Sequence, residues 1–115
     1  MEQKVILLKK GEEQSKTHKP GRLYRLMVKS NNMEAIIAEL DPQAESRWFQ
    51  HTGEEFHLVL EGEMEYMVGD HTYKLTKGDL LYHDSSLKHK ARNNGREKVV
   101  YITVGVPPTF MWSML

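Results

Sequence analysis

The chain has 115 residues, no cysteine, and sixteen Lys or Arg against sixteen Asp or Glu. Disulfides, thiolate metal sites and cysteine nucleophiles are therefore excluded, and the balanced charge offers no basic footprint for direct nucleic-acid binding. A chain of this length is expected to form one domain, residues 1–115, burying roughly two thirds of the surface its unfolded form exposes.

From Met1 to Lys10 the only apolar stretch is Val5 to Leu8, too short for a signal-peptide core or a membrane span. The expectation is a soluble cytoplasmic protein without membrane contact. Gly11 to Gly21 is polar, contains Lys19-Pro20-Gly21, and reads as a surface loop. Tyr24 to Val28 has strand character, whereas Met33, Ile36, Ile37 and Leu40 fall at helical spacing after Asn32, so periodicity alone favours a short helix there. Beyond residue 51 turn signals recur at Thr52-Gly53, Glu61-Gly62, Gly69-Asp70, Lys77-Gly78-Asp79, Asp84-Ser85-Ser86 and Asn93-Asn94-Gly95. They bracket strand-length segments rich in aromatic and branched residues: Phe56 to Leu60, Met64 to Val68, Tyr73 to Leu75, Leu80 to Tyr82 and Val99 to Val104. Short strands in such succession indicate an all-β sandwich or barrel. No βαβ alternation occurs and no Gly-rich loop opens a helix, which argues against a dinucleotide cofactor. Pro107-Pro108 ends the last strand pattern. The tail beyond it is apolar for a terminus, and Phe110, Met111, Trp112 and Leu115 are expected to pack on the domain or on a partner subunit.

Six histidines stand at 18, 51, 57, 71, 83 and 89. His18, in the polar loop, and His71, after a turn, read as solvated; His83, before Asp84 at a strand end, reads as rim or solvated. Glu55 and His57 share one strand face by the period-two rule, and His51 joins them if the chain turns at Gly53. A carboxylate and two imidazoles on one side of a small β-domain are costly to bury unpaired, and a divalent cation would satisfy all of them together.

With the second cluster added, the sequence resembles the cupin family. In that family's first motif, G-x5-H-x-H-x3,4-E-x6-G, His51, Glu55 and Gly62 match while Phe49 replaces the first histidine. In the second, G-x5-P-x-G-x2-H-x3-N, Gly78, His89 and Asn93 match, with Asp84 and Ser86 in place of Pro and Gly. Those two side chains can make the turn by hydrogen bonding instead of by backbone bias, leaving His89 in place. The resemblance extends over almost the whole chain and is strongest to the sensor domain at the carboxyl end of helix-turn-helix regulators, carried by His51-Thr-Gly-Glu-Glu-Phe-His-Leu-Val-Leu-Glu-Gly-Glu63 and Val106-Pro-Pro-Thr-Phe110. No DNA-binding helix pair precedes it here, so the expectation is the sensor without the reader.

The resemblance implies an all-β double-stranded β-helix, the jelly-roll barrel, with a strand at Glu34 to Leu40 where periodicity suggested helix; we side with the strand. It implies a metal held by His51, Glu55 and His89, the fourth position being lost to Phe49, with iron(II) the usual occupant of such a set and manganese, nickel or zinc the alternatives. His57 is a candidate further ligand or a neutral donor that orients Glu55. Phe49 and Tyr66 are candidates for lining a ligand pocket, and Arg47 and Arg92 read as solvated unless an anionic ligand meets them at the mouth. A homodimer is also implied. Three functions remain open: a binding module for a metal and a small polar ligand; a mononuclear metal enzyme of dioxygenase, isomerase or lyase type with Glu54, Tyr66 and His57 as acid or base candidates; or a structural, oligomer-forming cupin whose apolar tail is its main feature.

Overall fold

The computed structural model describes residues 4–108, Trp112 and Leu115. Among these, nine strands follow one another: β1 (Ser15–Lys19), β2 (Arg22–Lys29), β3 (Glu34–Leu40), β4 (Glu54–Glu61), β5 (Glu63–Val68), β6 (His71–Thr76), β7 (Leu80–Asp84), β8 (His89–Arg92) and β9 (Val99–Val106). They form an antiparallel six-stranded sheet, β1-β2-β3-β9-β4-β7, and a three-stranded sheet, β6-β5-β8. Isolated bridges Glu45↔Arg92 and Phe49↔His89 continue the smaller sheet beyond β8. Both sheets turn apolar faces inward, so Ile36, Leu40, Val59 and Tyr101 of the larger meet Met64, Tyr66 and Ala91 of the smaller in one core. Each large aliphatic side chain buried there contributes about 1.5–3 kcal/mol.

The segment with helical spacing is strand β3. Ile36, Ala38 and Leu40 alternate inward, opposite Thr103, Tyr101 and Val99 of β9. The spacing of Met33, Ile36, Ile37 and Leu40 mimics a helix only because Ile37 lies on the half-covered outer face of a central strand. The polar loop expected at Gly11 to Gly21 is in part strand: Ser15 to Lys19 pair with β2 from Ser15↔Leu26 to Lys19↔Arg22. As an edge strand it is exposed along most of its length and carries no apolar alternation to betray it. At the other end of the chain Trp112 and Leu115 pack against the core, as expected of the tail; Phe110 and Met111 lie outside the described residues.

Strand order places the chemistry. β4 runs between β7 and β9, so Glu55 is flanked by His83 on one side and Gly105 on the other, and His57 by Leu81 and Thr103. Gly53, just ahead of β4, has a φ of 104° and lies so close to the Val106 carbonyl and Pro107 that a Cβ would overlap both. Only glycine allows the chain to turn there and carry His51 back over Glu55.

Candidate metal centre and cavity

Glu55 is the hub, 4% exposed. Its Oε1 accepts a hydrogen bond from Ser85 Oγ at 2.8 Å and lies 2.9 Å from His89 Nε2 and 3.2 Å from His51 Nε2. Its Oε2 lies 3.5 Å from His57 Nε2. His57 continues inward, with Nε2 2.9 Å from His83 Nε2 and Nδ1 2.7 Å from Thr103 Oγ1. The structure thus brings together His51, Glu55, His89 and His57 of the sequence reading. Among the described residues, two groups of three are close enough together that they could hold a metal: His51, Glu55 and His89, and Glu55, His57 and His83.

The outer nitrogens fix the tautomers. His89 Nδ1 is 2.6 Å from the Leu87 carbonyl, His51 Nδ1 3.1 Å from that of Thr52, and His83 Nδ1 2.9 Å from that of Asp84. A carbonyl oxygen only accepts, so each Nδ1 carries a proton, and a ring that holds no second proton presents a bare lone pair at Nε2. For His51 and His89 that lone pair points at a carboxylate oxygen, a repulsive contact unless a proton or a cation lies between.

Ionisation follows the same geometry. Burial works to raise the Glu55 carboxyl, but hydrogen bonds from His51 and His89 outweigh it and hold the group far below the usual carboxylate range. The Glu55 hydrogen bond raises His51 above the ordinary imidazole value against some burial. Complete burial pushes His57 down to about 3, and burial also lowers His83, so both rings are neutral. Tyr66 stacks on His57 with ring centroids 4.0 Å apart, and burial beside Glu55 keeps its phenol neutral.

His51, Glu55, His57 and His89 line a cavity of about 40 Å³, its other walls including Phe49, Tyr66, Tyr101, Thr103 and Leu115. One water needs about 10–15 Å³ on this measure, so the space fits roughly three waters or a ligand of a few atoms. Phe49 exchanges both backbone hydrogen bonds with His89 and sets its ring 6.0 Å from the imidazole, an apolar wall where a fourth ligand would stand.

Other residues fall elsewhere. His83 is not at the rim: it is 6% exposed and sits opposite Glu55 on β7. The misreading has a cause, because Leu80 and Tyr82 of that strand face outward and invert the usual alternation. Glu54 lies on the exposed outer face of β4 and is no acid or base for the cavity. Arg92 is half-buried and paired with Glu65 at 3.3 Å instead of solvated; Arg47 is exposed, as are His18 and His71. Ser85 and Thr103 were not foreseen. Ser85 is held by a clasp in which His51 N–H donates to the Ser85 carbonyl and Ser85 N–H to that of Gly53. Asp84 Oδ1 accepts from the Ser86 backbone and hydroxyl at 3.0 and 2.8 Å, the side-chain-made turn expected of that pair. Asn93 is structural: its amide donates to the carbonyls of Leu40 and Glu97.

The fold and site define a class: a two-sheet antiparallel β-barrel with an internal imidazole and carboxylate group able to hold a metal. The chain belongs to the cupin family, whose cupin domain description matches residues 36–105. An uncharacterized protein of Archaeoglobus fulgidus is 41% identical over 64 residues, 56% of this chain and 60% of that protein, so the match spans under two thirds of the relative. Among solved structures, an RmlC-like cupin from Shewanella frigidimarina superposes with a TM-score of 0.80 at 20% identity, covering 92% of this chain and 95% of that one. KdgF from Halomonas superposes at 0.77 with 18% identity, covering 96% and 100%. The cupin domain of an XRE-family transcriptional regulator from Enterobacter cloacae superposes at 0.69 with 16% identity, covering 74% and 95%. At these identities the likeness is one of fold. No helix among the described residues is long and apolar enough to cross a membrane.

Proposed function

We propose that this protein is a binding module that holds a divalent cation at His51, Glu55 and His89 and a small polar ligand beside it in the cavity. The observation that carries the reading is the pair of imidazole nitrogens facing one carboxylate oxygen at 2.9 and 3.2 Å, with their outer nitrogens already bound to carbonyls. Metal-binding histidines are oriented in this way, the outer N–H donating to a backbone carbonyl while the inner lone pair faces the metal. Two nitrogens and one oxygen suit iron, manganese, nickel or zinc. A cation there would act as a Lewis acid toward a ligand oxygen. The chain's own residues do the rest. Phe49 and Tyr66 wall the space with rings, Leu115 closes it, and Ser85 holds Glu55 in place.

A binding role is favoured over turnover because, of the acid or base candidates among the described residues, His57 is neutral and bonded to His83 and Thr103, Tyr66 is neutral and stacked on His57, and Glu54 faces outward. The same reading carries with it a homodimer, supported by the exposed apolar Val5 and Leu7 of the amino-terminal segment. Sedimentation equilibrium would give the state directly.

Metal content by mass spectrometry, on protein purified without a histidine tag or chelator, tests the reading beside a His51→Ala, His89→Ala double variant. Near one metal per chain, absent from the double variant, is expected. Metal-free protein that takes up none of the four metals on dialysis would refute the cation. Loss of small substrates, or oxygen uptake, by the loaded protein would replace the binding role with the enzymatic one.

A further inference from the structure

Glu55 has a second oxygen, and it faces a second set of nitrogens. His57 and His83 come from neighbouring strands β4 and β7, are 1% and 6% exposed, and place their Nε2 atoms 2.9 Å apart, with His57 Nε2 3.5 Å from Glu55 Oε2. All three ligand atoms lie within 4.8 Å of one another. Donors about 2.1 Å from a common ion at angles between 90° and 110° are roughly 3.0–3.4 Å apart, close to the two separations made by His57, while His83 Nε2 and Glu55 lie farther apart, within 4.8 Å.

The protons decide what can sit there. His83 Nδ1 donates to the Asp84 carbonyl, so its Nε2 is a bare lone pair. In the cation-free protein His57 Nε2–H must donate to it, and His57 Nδ1 then accepts from the Thr103 hydroxyl. That hydroxyl can serve either way. If it rotates to accept, His57 carries its proton on Nδ1, and both Nε2 lone pairs become free beside Glu55 Oε2.

We propose that His57, His83 and the inner oxygen of Glu55 form a second divalent-cation position, so that Glu55 bridges two cations, one on each oxygen. The proposal rests on the reading of Glu55 as a cation ligand. Loading switches the tautomer of His57 with no net release of protons: the Nε2 proton leaves, Nδ1 acquires one, and the Thr103 hydroxyl turns from donor to acceptor. The hydroxyl's new role is the anchor that metal-bound imidazoles find in an outer acceptor. Because both ions share one carboxylate and repel each other, the second binds more weakly than the first. A nitrogen-rich buried pocket suits zinc, cobalt(II) or nickel over magnesium or calcium.

The test is titration of metal-stripped full-length protein with cobalt(II), followed by visible absorption and equilibrium dialysis. The expected result is two equivalents for the native chain, the second weaker by at least about tenfold, and one equivalent for His83→Leu. The retained equivalent also shows that the variant is folded. Thr103→Val keeps the volume and removes the hydroxyl; it should weaken only the second equivalent, by about 10–100-fold. A native chain that binds one equivalent, with the same affinity in His83→Leu and Thr103→Val, overturns the second position and leaves the first intact. No binding at all overturns both. One equivalent lost in His83→Leu but kept in His51→Ala supports the inner position and overturns the outer one.

Discussion

Glu55→Gln isolates the charge at the hub, because the amide keeps the shape of the carboxylate and loses its anion. In the native chain Oε1 meets Ser85, His89 and His51 within 3.2 Å at a position 4% exposed. Removing one member of a buried ion pair costs about 3–5 kcal/mol, because the remaining charge is left uncompensated. At about 1.4 kcal/mol per decade this is roughly two to three and a half decades of affinity, so metal binding at the outer position should weaken at least about 100-fold. The chelated protein adds a second reading with a definite sign. His51 is raised above its unfolded value by Glu55, so its pairing stabilises the fold fully below about pH 6.5 and fades as pH rises through the raised folded value. Glu55 itself stays ionised throughout that window. Thermal melts with chelator should therefore show a larger gap between native chain and Glu55→Gln near about pH 5.5 than near about pH 8.5. Undiminished metal affinity, or a gap of the same size at both pH values, would refute the argument that His51 and Glu55 exchange a proton for a cation.

Three further outcomes follow from particular contacts. Ser85→Ala deletes the hydroxyl that donates to Glu55 at 2.8 Å and should cost about 1.5–3 kcal/mol in urea unfolding, since the acceptor is charged. Gly53→Ala forces a Cβ into the Val106 carbonyl at a φ of 104°; it should lower Tm and weaken metal uptake together, and a variant that loses stability but keeps full uptake would show that the turn does not position His51. Glu34 is 0% exposed, with Oε1 accepting from Trp112 N–H and Oε2 without a hydrogen-bond partner, and burial raises its carboxyl. A raised carboxylate contributes stability below its unfolded value and loses it as pH rises through the folded one. Glu34→Gln should accordingly gain Tm over the native chain as pH increases, and show no gain near about pH 4, as differential scanning calorimetry would record.

Much of the architecture was readable where burial falls on one face of a strand. β4 and β5 alternate inward and outward with little interruption, and their turn signals stand where the chain turns. β1 was invisible because it is an edge strand with almost nothing to bury, and β7 was misjudged because its large apolar residues, Leu80 at 55% and Tyr82 at 59% exposed, face solvent while His83 faces the core. His51 and Glu55 could be set together from local spacing across the turn at Gly53, whereas His89 entered only through the resemblance to the cupin motifs. The pairing of His83 with Glu55 depends on β7 lying beside β4, a register between segments some thirty residues apart, and no local pattern encodes it. Thr103 reaches His57 through the other neighbour, β9, for the same reason.

The outer group draws its members from both sheets, His89 from β8 of the smaller and Glu55 from β4 of the larger. An ion held by all of them would act as a removable crosslink across the barrel, fastening two layers otherwise joined by side-chain packing and a few loops. Opening of β5, β6 and β8 away from the rest would then require the ion to leave first. In hydrogen exchange, amides of the small sheet should report occupancy of a site that most of them never touch, and loading would merge two separately breathing layers into one cooperative unit.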